Sequence, residues 1–144
     1  MDLKIYVGKQ QVKEIWNDVK NVIELSLPYS HEQNLIVEDV YNMLVNSNNA
    51  LWVFTIDGDV VGYIVSEMFN DSEGLPTAHV ILTGAKEIGF LDEIFGLAKL
   101  NLVQCGIKKI QFSSARRGMD KLTKQFGMTE KYVVFEGKIE DGKH

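Results

Sequence analysis

The stretch Leu51-Trp52-Val53-Phe54-Thr55-Ile56-Asp57-Gly58-Asp59-Val60-Val61-Gly62-Tyr63-Ile64-Val65 decides how the rest of the chain is read. Two aromatic and β-branched runs flank Asp57-Gly58. A type I′ turn needs positive φ at both central residues, and Asp-Gly supplies it, so the stretch predicts an antiparallel hairpin. Gly62, inside the second run, predicts a bulge or a close packing contact.

Toward the C-terminus, residues 70–77 read as a loop with Gly74 and Pro76, and Ala78-His79-Val80-Ile81-Leu82 as a further strand. Thr83-Gly84-Ala85-Lys86-Glu87 reads as a turn. Ile88, Leu91, Ile94, Phe95, Leu97, Ala98 and Leu102 recur at helical spacing and predict a helix of about five turns, which Gly106 stops. Residues 108–113 are strand-like. The strand, helix, strand unit over residues 78–113 predicts a parallel pair joined by a right-handed crossover. Met119, Leu122 and Phe126 predict a short helix, and residues 129–138 a last strand.

Toward the N-terminus, residues 3–7 alternate and predict a first strand, closed by Gly8. Val12, Ile15, Trp16, Val19, Val22, Ile23 and Leu25 predict an amphipathic helix that Pro28 ends. After a polar loop at residues 29–35, Val37, Val40, Tyr41, Leu44 and Val45 predict a second helix, with Asn34 as its cap and Glu38 and Asp39 at the positive end of its dipole. The fold class is therefore mixed α/β (α+β): a mainly antiparallel sheet of six to seven strands, with about four helices on its faces. The 144 residues suit a single domain over 1–144.

Composition narrows the function. Net charge is −5, which argues against a nucleic-acid binder, whose affinity comes mainly from neutralising phosphates. No apolar run approaches the roughly 20 residues of a membrane-spanning helix, and the first residues lack the layout of a signal peptide. The single Cys105 fits a reducing cytoplasm and reads as a small core residue. Three histidines and one cysteine show no metal-ligand spacing.

The hairpin from Trp52 to Tyr63, with its glycine in the second strand, resembles the GNAT superfamily of acyl-CoA N-acyltransferases. Leu122-Thr123-Lys124-Gln125-Phe126-Gly127-Met128 followed by a strand resembles that superfamily's last helix and exit. Leu82-Thr83-Gly84, Cys105-Gly106-Ile107-Lys108-Lys109-Ile110 and Arg116-Arg117-Gly118-Met119 are similar to a divergent bacteriophage branch, in which an aromatic residue is expected at position 119.

The resemblance implies acetyl-CoA as co-substrate and an amine as acceptor. The pyrophosphate would lie on free amides where a strand gives way to a helix, with the pantetheine arm along the strand end. It places Ile81, Leu82, Thr83, Gly84, Lys86 and Gly89 at the cofactor. The turn departs from the family pattern: Lys86-Glu87-Ile88-Gly89-Phe90-Leu91 keeps one positive charge and one glycine but adds Glu87, Phe90 and Leu91. Lys86 and Glu87 are equally read as plain exposed turn residues.

The family's catalytic tyrosine falls on Thr123, whose pKa is too high for a useful acid, and Tyr132 is the substitute. His79 and Glu67 are the candidate bases, His31 lies in the loop expected to carry acceptor specificity, and Arg116-Arg117 could bind phosphate or pair with Asp120. Each of these also has an ordinary structural reading. The alternatives to catalysis are a GNAT-shaped phage protein acting in virion assembly or binding a phage or host protein, and a homodimeric scaffold with Trp16, Trp52 and Tyr63 partly exposed.

Overall fold

The computed structural model describes residues 1–27 and 35–112. The elements run β1 (Asp2–Val7), α1 (Lys9–Ser26), α2 (Val37–Val45), β2 (Ala50–Ile56), β3 (Asp59–Asn70), β4 (Pro76–Ala85), a 3-10 turn (Ile88–Phe90), α3 (Leu91–Gln104) and β5 (Lys109–Phe112). The loop after α1, the short helix and the last strand expected beyond residue 112 lie outside the described residues. So do His31, Asn34, Arg116, Arg117, Asp120, Thr123 and Tyr132.

Five strands form one sheet in the order β1-β2-β3-β4-β5. The first three pairings are antiparallel, and β4 pairs with β5 in parallel. The hairpin forms as its residues require, with Asp57 at φ 52° and Gly58 at φ 84°. Gly106, at φ 76°, ends α3, and the Ile107 amide donates to Leu102 O at 3.0 Å.

Two apolar layers sandwich the sheet. Val12, Val19 and Ile23 of α1 and Val40 and Leu44 of α2 pack with Leu51, Val53, Tyr63 and Val65 on one face. Leu91, Ile94, Phe95, Ala98 and Leu102 of α3 pack with Trp52, Phe54, Ile64, Ala78 and Val80 on the other. Helices on both faces explain why β2 reads as a continuous apolar run. Gly62 meets both of its expectations. It lies beside a register shift in the β2–β3 pair, and a Cβ there would come within 2.3 Å of Ile94 Cδ1.

Several expectations are corrected. The N-cap of α2 is Ile36, not Asn34, because the helix starts two residues later than a cap at 34 requires; Asp39 accepts the Ile36 amide at 3.1 Å. Pro76 and Thr77 belong to β4, where proline is tolerated as the first residue of a strand. Thr83 and Gly84 are strand residues as well, opposite Ile64 and Tyr63, and the turn begins only at Lys86. Cys105 is exposed, because it leaves the helical path as the C-cap of α3. Trp52 and Tyr63 are core residues at 2% and 1% exposure, so they form no contact surface. Trp16 is half-buried, its ring 4.9 Å from that of Tyr41.

Candidate active site

The sheet becomes irregular at β4. Val65 pairs with Leu82 and Ser66 with Val80, which leaves Ile81 as an extra residue. Such a bulge bends a strand and re-aims its side chains. Ile81 and Leu82 both pack into the layer under α1 and α2. Beyond them Thr83 pairs with Ile64, on the α3 side. Strict alternation from the sequence alone would put His79, Ile81 and Thr83 on one face; the bulge turns Thr83 to the other, because alternation holds only in an unbulged strand.

The side chains beyond the bulge are committed to the fold. Leu82 is buried. Thr83 Oγ1 donates to Tyr63 O at 2.9 Å. A Cβ at Gly84 would lie 2.5 Å from Ser26 Cβ and 2.9 Å from Tyr63 Cε1. Ser26 Oγ in turn donates to Ile23 O at 3.0 Å and lies 2.5 Å from the Tyr63 hydroxyl. Residues 82–84 can therefore offer a ligand only their backbone. On the edge facing β5, pairing among the described residues runs from Thr77 with Lys109 to Val80 with Phe112. The edge of β4 past Val80 has no strand partner there among the described residues.

His79 is half-buried in the paired part of β4, just before the bulge. Register places Glu67 of β3 opposite it on one side and Gln111 of β5 on the other. Side chains opposite each other in a ladder are neighbours on one face. His79 Nδ1 lies 3.4 Å from Gln111 Oε1, a long contact. In the tautomer with the proton on Nδ1, His79 donates to Gln111 and Nε2 is the basic nitrogen. Gln111 is thus a neighbour of the candidate base that the sequence does not single out; only the parallel register reveals it. Glu67 is exposed.

The start of β5 is anchored. Lys109 Nζ bonds to Asp71 Oδ2, and Asp71 Oδ1 accepts the amides of Glu73 at 2.9 Å and Leu75 at 2.8 Å. The Lys109 ammonium, and after it the Leu75 amide, hold the Asp71 carboxyl below its ordinary value of 3.8. The Lys108 amide donates to Pro76 O at 2.8 Å. These bonds fix β5 beside the first half of β4.

At the far end of β4, the Lys86 amide donates to Val61 O at 2.7 Å, tying the turn to the bulged part of β3. The Phe90 amide donates to Glu87 O at 3.1 Å, and the Leu91 amide to Ile88 O. The amides of Ile88 and Gly89 make no hydrogen bond among the described residues. A Cβ at Gly89 would meet nothing within 4 Å. Leu91 is buried in the α3 layer at 7% exposure, and Phe90 packs partly buried against that layer. A side chain in place of a small residue at position 91 would be expected to hinder approach to the backbone of the turn; that of Leu91 is instead buried in the α3 layer. The charge departure persists: Glu87, Asp92 and Glu93 are exposed beside the single exposed Lys86.

No protein-family model and no curated protein sequence matches the chain. Solved structures do. A ribosomal-protein-alanine N-acetyltransferase from Brucella melitensis biovar Abortus superposes with a TM-score of 0.66 at 12% identity, covering 96% of this chain and 99% of that one. An aminoglycoside acetyltransferase from an uncultured soil metagenomic sample, in complex with sisomicin, superposes at 0.65 with 13% identity, covering 96% and 97%. The chain has the GNAT fold. At these identities the likeness extends to architecture and not to substrates.

Proposed function

We propose that this protein is an acyl-CoA-dependent N-acyltransferase that moves an acetyl group from acetyl-CoA to an amine. The observation that carries the reading is the bulge at Ile81. It sits between a histidine on the paired half of β4 and two open amides, of Ile88 and Gly89, at the end of the same strand. Open amides at the start of a helical segment suit a diphosphate. The backbone edge of residues 81–85, which has no strand partner on the β5 side among the described residues, suits a pantetheine arm, which carries amide groups of its own.

Chemically, a protonated amine gives one proton to His79 Nε2 and attacks the thioester carbonyl. A C–N bond forms, the C–S bond breaks, and the departing thiolate takes the second proton of the amine. The products are the amide and the free thiol, with one proton left on His79 for solvent. An imidazole with one ring nitrogen free to take a proton has the right chemistry for this step. The chemistry needs no metal, and a cytoplasmic setting would supply acetyl-CoA.

Calorimetry with acetyl-CoA tests the reading. Binding, with thiol release on adding an amine and its loss in His79→Ala, is the expected result. Absence of heat and of any thermal shift at millimolar acetyl-CoA would remove the proposal. A second reading, a non-catalytic GNAT-fold protein that binds a phage or host protein in virion assembly, is favoured by Glu87, Asp92 and Glu93, which repel phosphate at the turn. Failure of the folded protein to bind acetyl-CoA would favour that reading.

A further inference from the structure

The face of the sheet that carries His79 continues past the cover of α1 and α2. Val65 lies in the layer under those helices, and strand alternation puts Glu67 and Phe69 on the same face beyond it. Glu67 stands opposite His79, and Phe69 stands opposite Thr77. Thr77 is fully buried and its hydroxyl is turned back to Leu75 O at 2.9 Å. Phe69 itself is 39% exposed. The neighbouring carboxylates of Asp71 and Glu73 both face the Lys109 ammonium. Glu67 makes no ion pair among the described residues. The patch therefore presents a carboxylate with no ion pair among the described residues and a partly exposed aromatic ring beside the candidate base.

We infer that the acceptor is a protonated primary amine carrying an apolar, best aromatic, group, with the nitrogen held by Glu67 beside His79 and the apolar group against Phe69. The inference rests on the transferase reading above and narrows its acceptor. Residues two apart on a strand are separated by about 7 Å, which a spacer of about two or three bonds between nitrogen and ring spans. A carboxylate draws in the ammonium and rejects acidic amines. An aromatic ring adds contact with a ring or with the cation itself. Amino acids that retain a free carboxylate, and purely polar amines, meet only part of this pattern.

The test uses the full chain with acetyl-CoA and 2-phenylethylamine, ethanolamine or glycine, read by thiol release. A peptide with N-terminal phenylalanine separates a chain terminus from a free amine as the source of the same chemistry. Phenylethylamine, or the peptide, is expected to exceed ethanolamine by about tenfold in kcat/KM, with glycine poorest. Glu67→Gln should raise KM for 2-phenylethylamine and for ethanolamine by about tenfold, and Phe69→Ala should erase the aromatic preference alone. Acetyl-CoA binding measured by calorimetry should stay intact in both variants. Equal use of all three small amines, or unchanged KM in folded variants, would overturn the acceptor inference while leaving the transferase reading in place. If acetyl-CoA does not bind, that reading falls separately, and an NMR titration with phenylethylammonium decides the patch. Shifts at residues 65–69 and 77–80 would keep it, and their absence would end it.

Discussion

Gly84→Ala separates two descriptions of the β4 end by the sign of its effect. If Gly84 were an exposed turn glycine, alanine would be neutral or stabilising by about 0.4–1 kcal/mol, through a stiffer unfolded chain. Its φ is not in the positive range, so alanine meets no backbone strain. The structure places the new methyl 2.5 Å from Ser26 Cβ, about 0.9 Å short of the 3.4 Å where ordinary contact begins. Ser26 Cβ is fixed to the last turn of α1 and cannot swing aside, so that turn must lift from the sheet. Overpacking of this kind costs about 1–3 kcal/mol. Part is recovered because alanine suits a strand better than glycine, by about 0.5–1 kcal/mol. Net destabilisation of about 0.5–2 kcal/mol should appear in urea as a lower midpoint at unchanged slope. On heating it corresponds to a fall of roughly 2–4 °C per kcal/mol. Ser26→Gly removes the two closest atoms, so the double variant should be more stable than the sum of the single effects by about 1 kcal/mol or more. A midpoint that rises, or a double variant that is simply additive, would refute the packing argument.

Three further outcomes follow from particular contacts. Ser66→Ala strands the buried Trp52 indole N–H, which now donates to Ser66 Oγ at 2.9 Å; a loss of about 1–3 kcal/mol in urea unfolding is expected. Because the folded-state pKa of Asp71 is depressed, the contribution of its Lys109 and amide partners is complete above the unfolded value near 3.8 and is lost as pH falls through the lower folded value. Asp71→Asn should therefore be less stable than the parent at neutral pH and should converge on it in acid, as followed by thermal melts across pH. Glu87→Gln removes a like charge from the turn, worth about 1 kcal/mol at close range, and should tighten acetyl-CoA binding about fivefold in calorimetry, whereas Lys86→Ala should weaken it.

What was legible in the sequence was local. Asp57-Gly58 dictates its turn through the φ values it permits, and Gly106 ends α3 for the same reason. The apolar spacing of residues 12–23 and 91–102 marks the buried faces of α1 and α3 because helical period and burial coincide there. The parallel pairing of β4 and β5 followed from the helix between them.

What escaped was set by tertiary contact. Nothing in Val80-Ile81-Leu82 announces a bulge, yet it decides which face Thr83 presents. Gly84 looks like a turn residue until Ser26, far away in the chain, is placed above it. Cys105 was read as core from apolar neighbours, but the helix ends beneath it. Of the proposed site, the sequence singles out His79 and Gly89 as individual candidates. Their neighbours are not legible there, because Gln111 and Phe69 come near them only through strand register.

A titration of the ¹⁵N-labelled protein with acetyl-CoA, following the amides of residues 81–89, bears most directly on the proposed site. Saturable shifts greatest at Ile88 and Gly89, with smaller ones along residues 81–85 and at His79, would agree with a diphosphate seated on the turn and a thioester at the bulge. Unmoved amides at Ile88 and Gly89, or shifts confined to another surface, would contradict it.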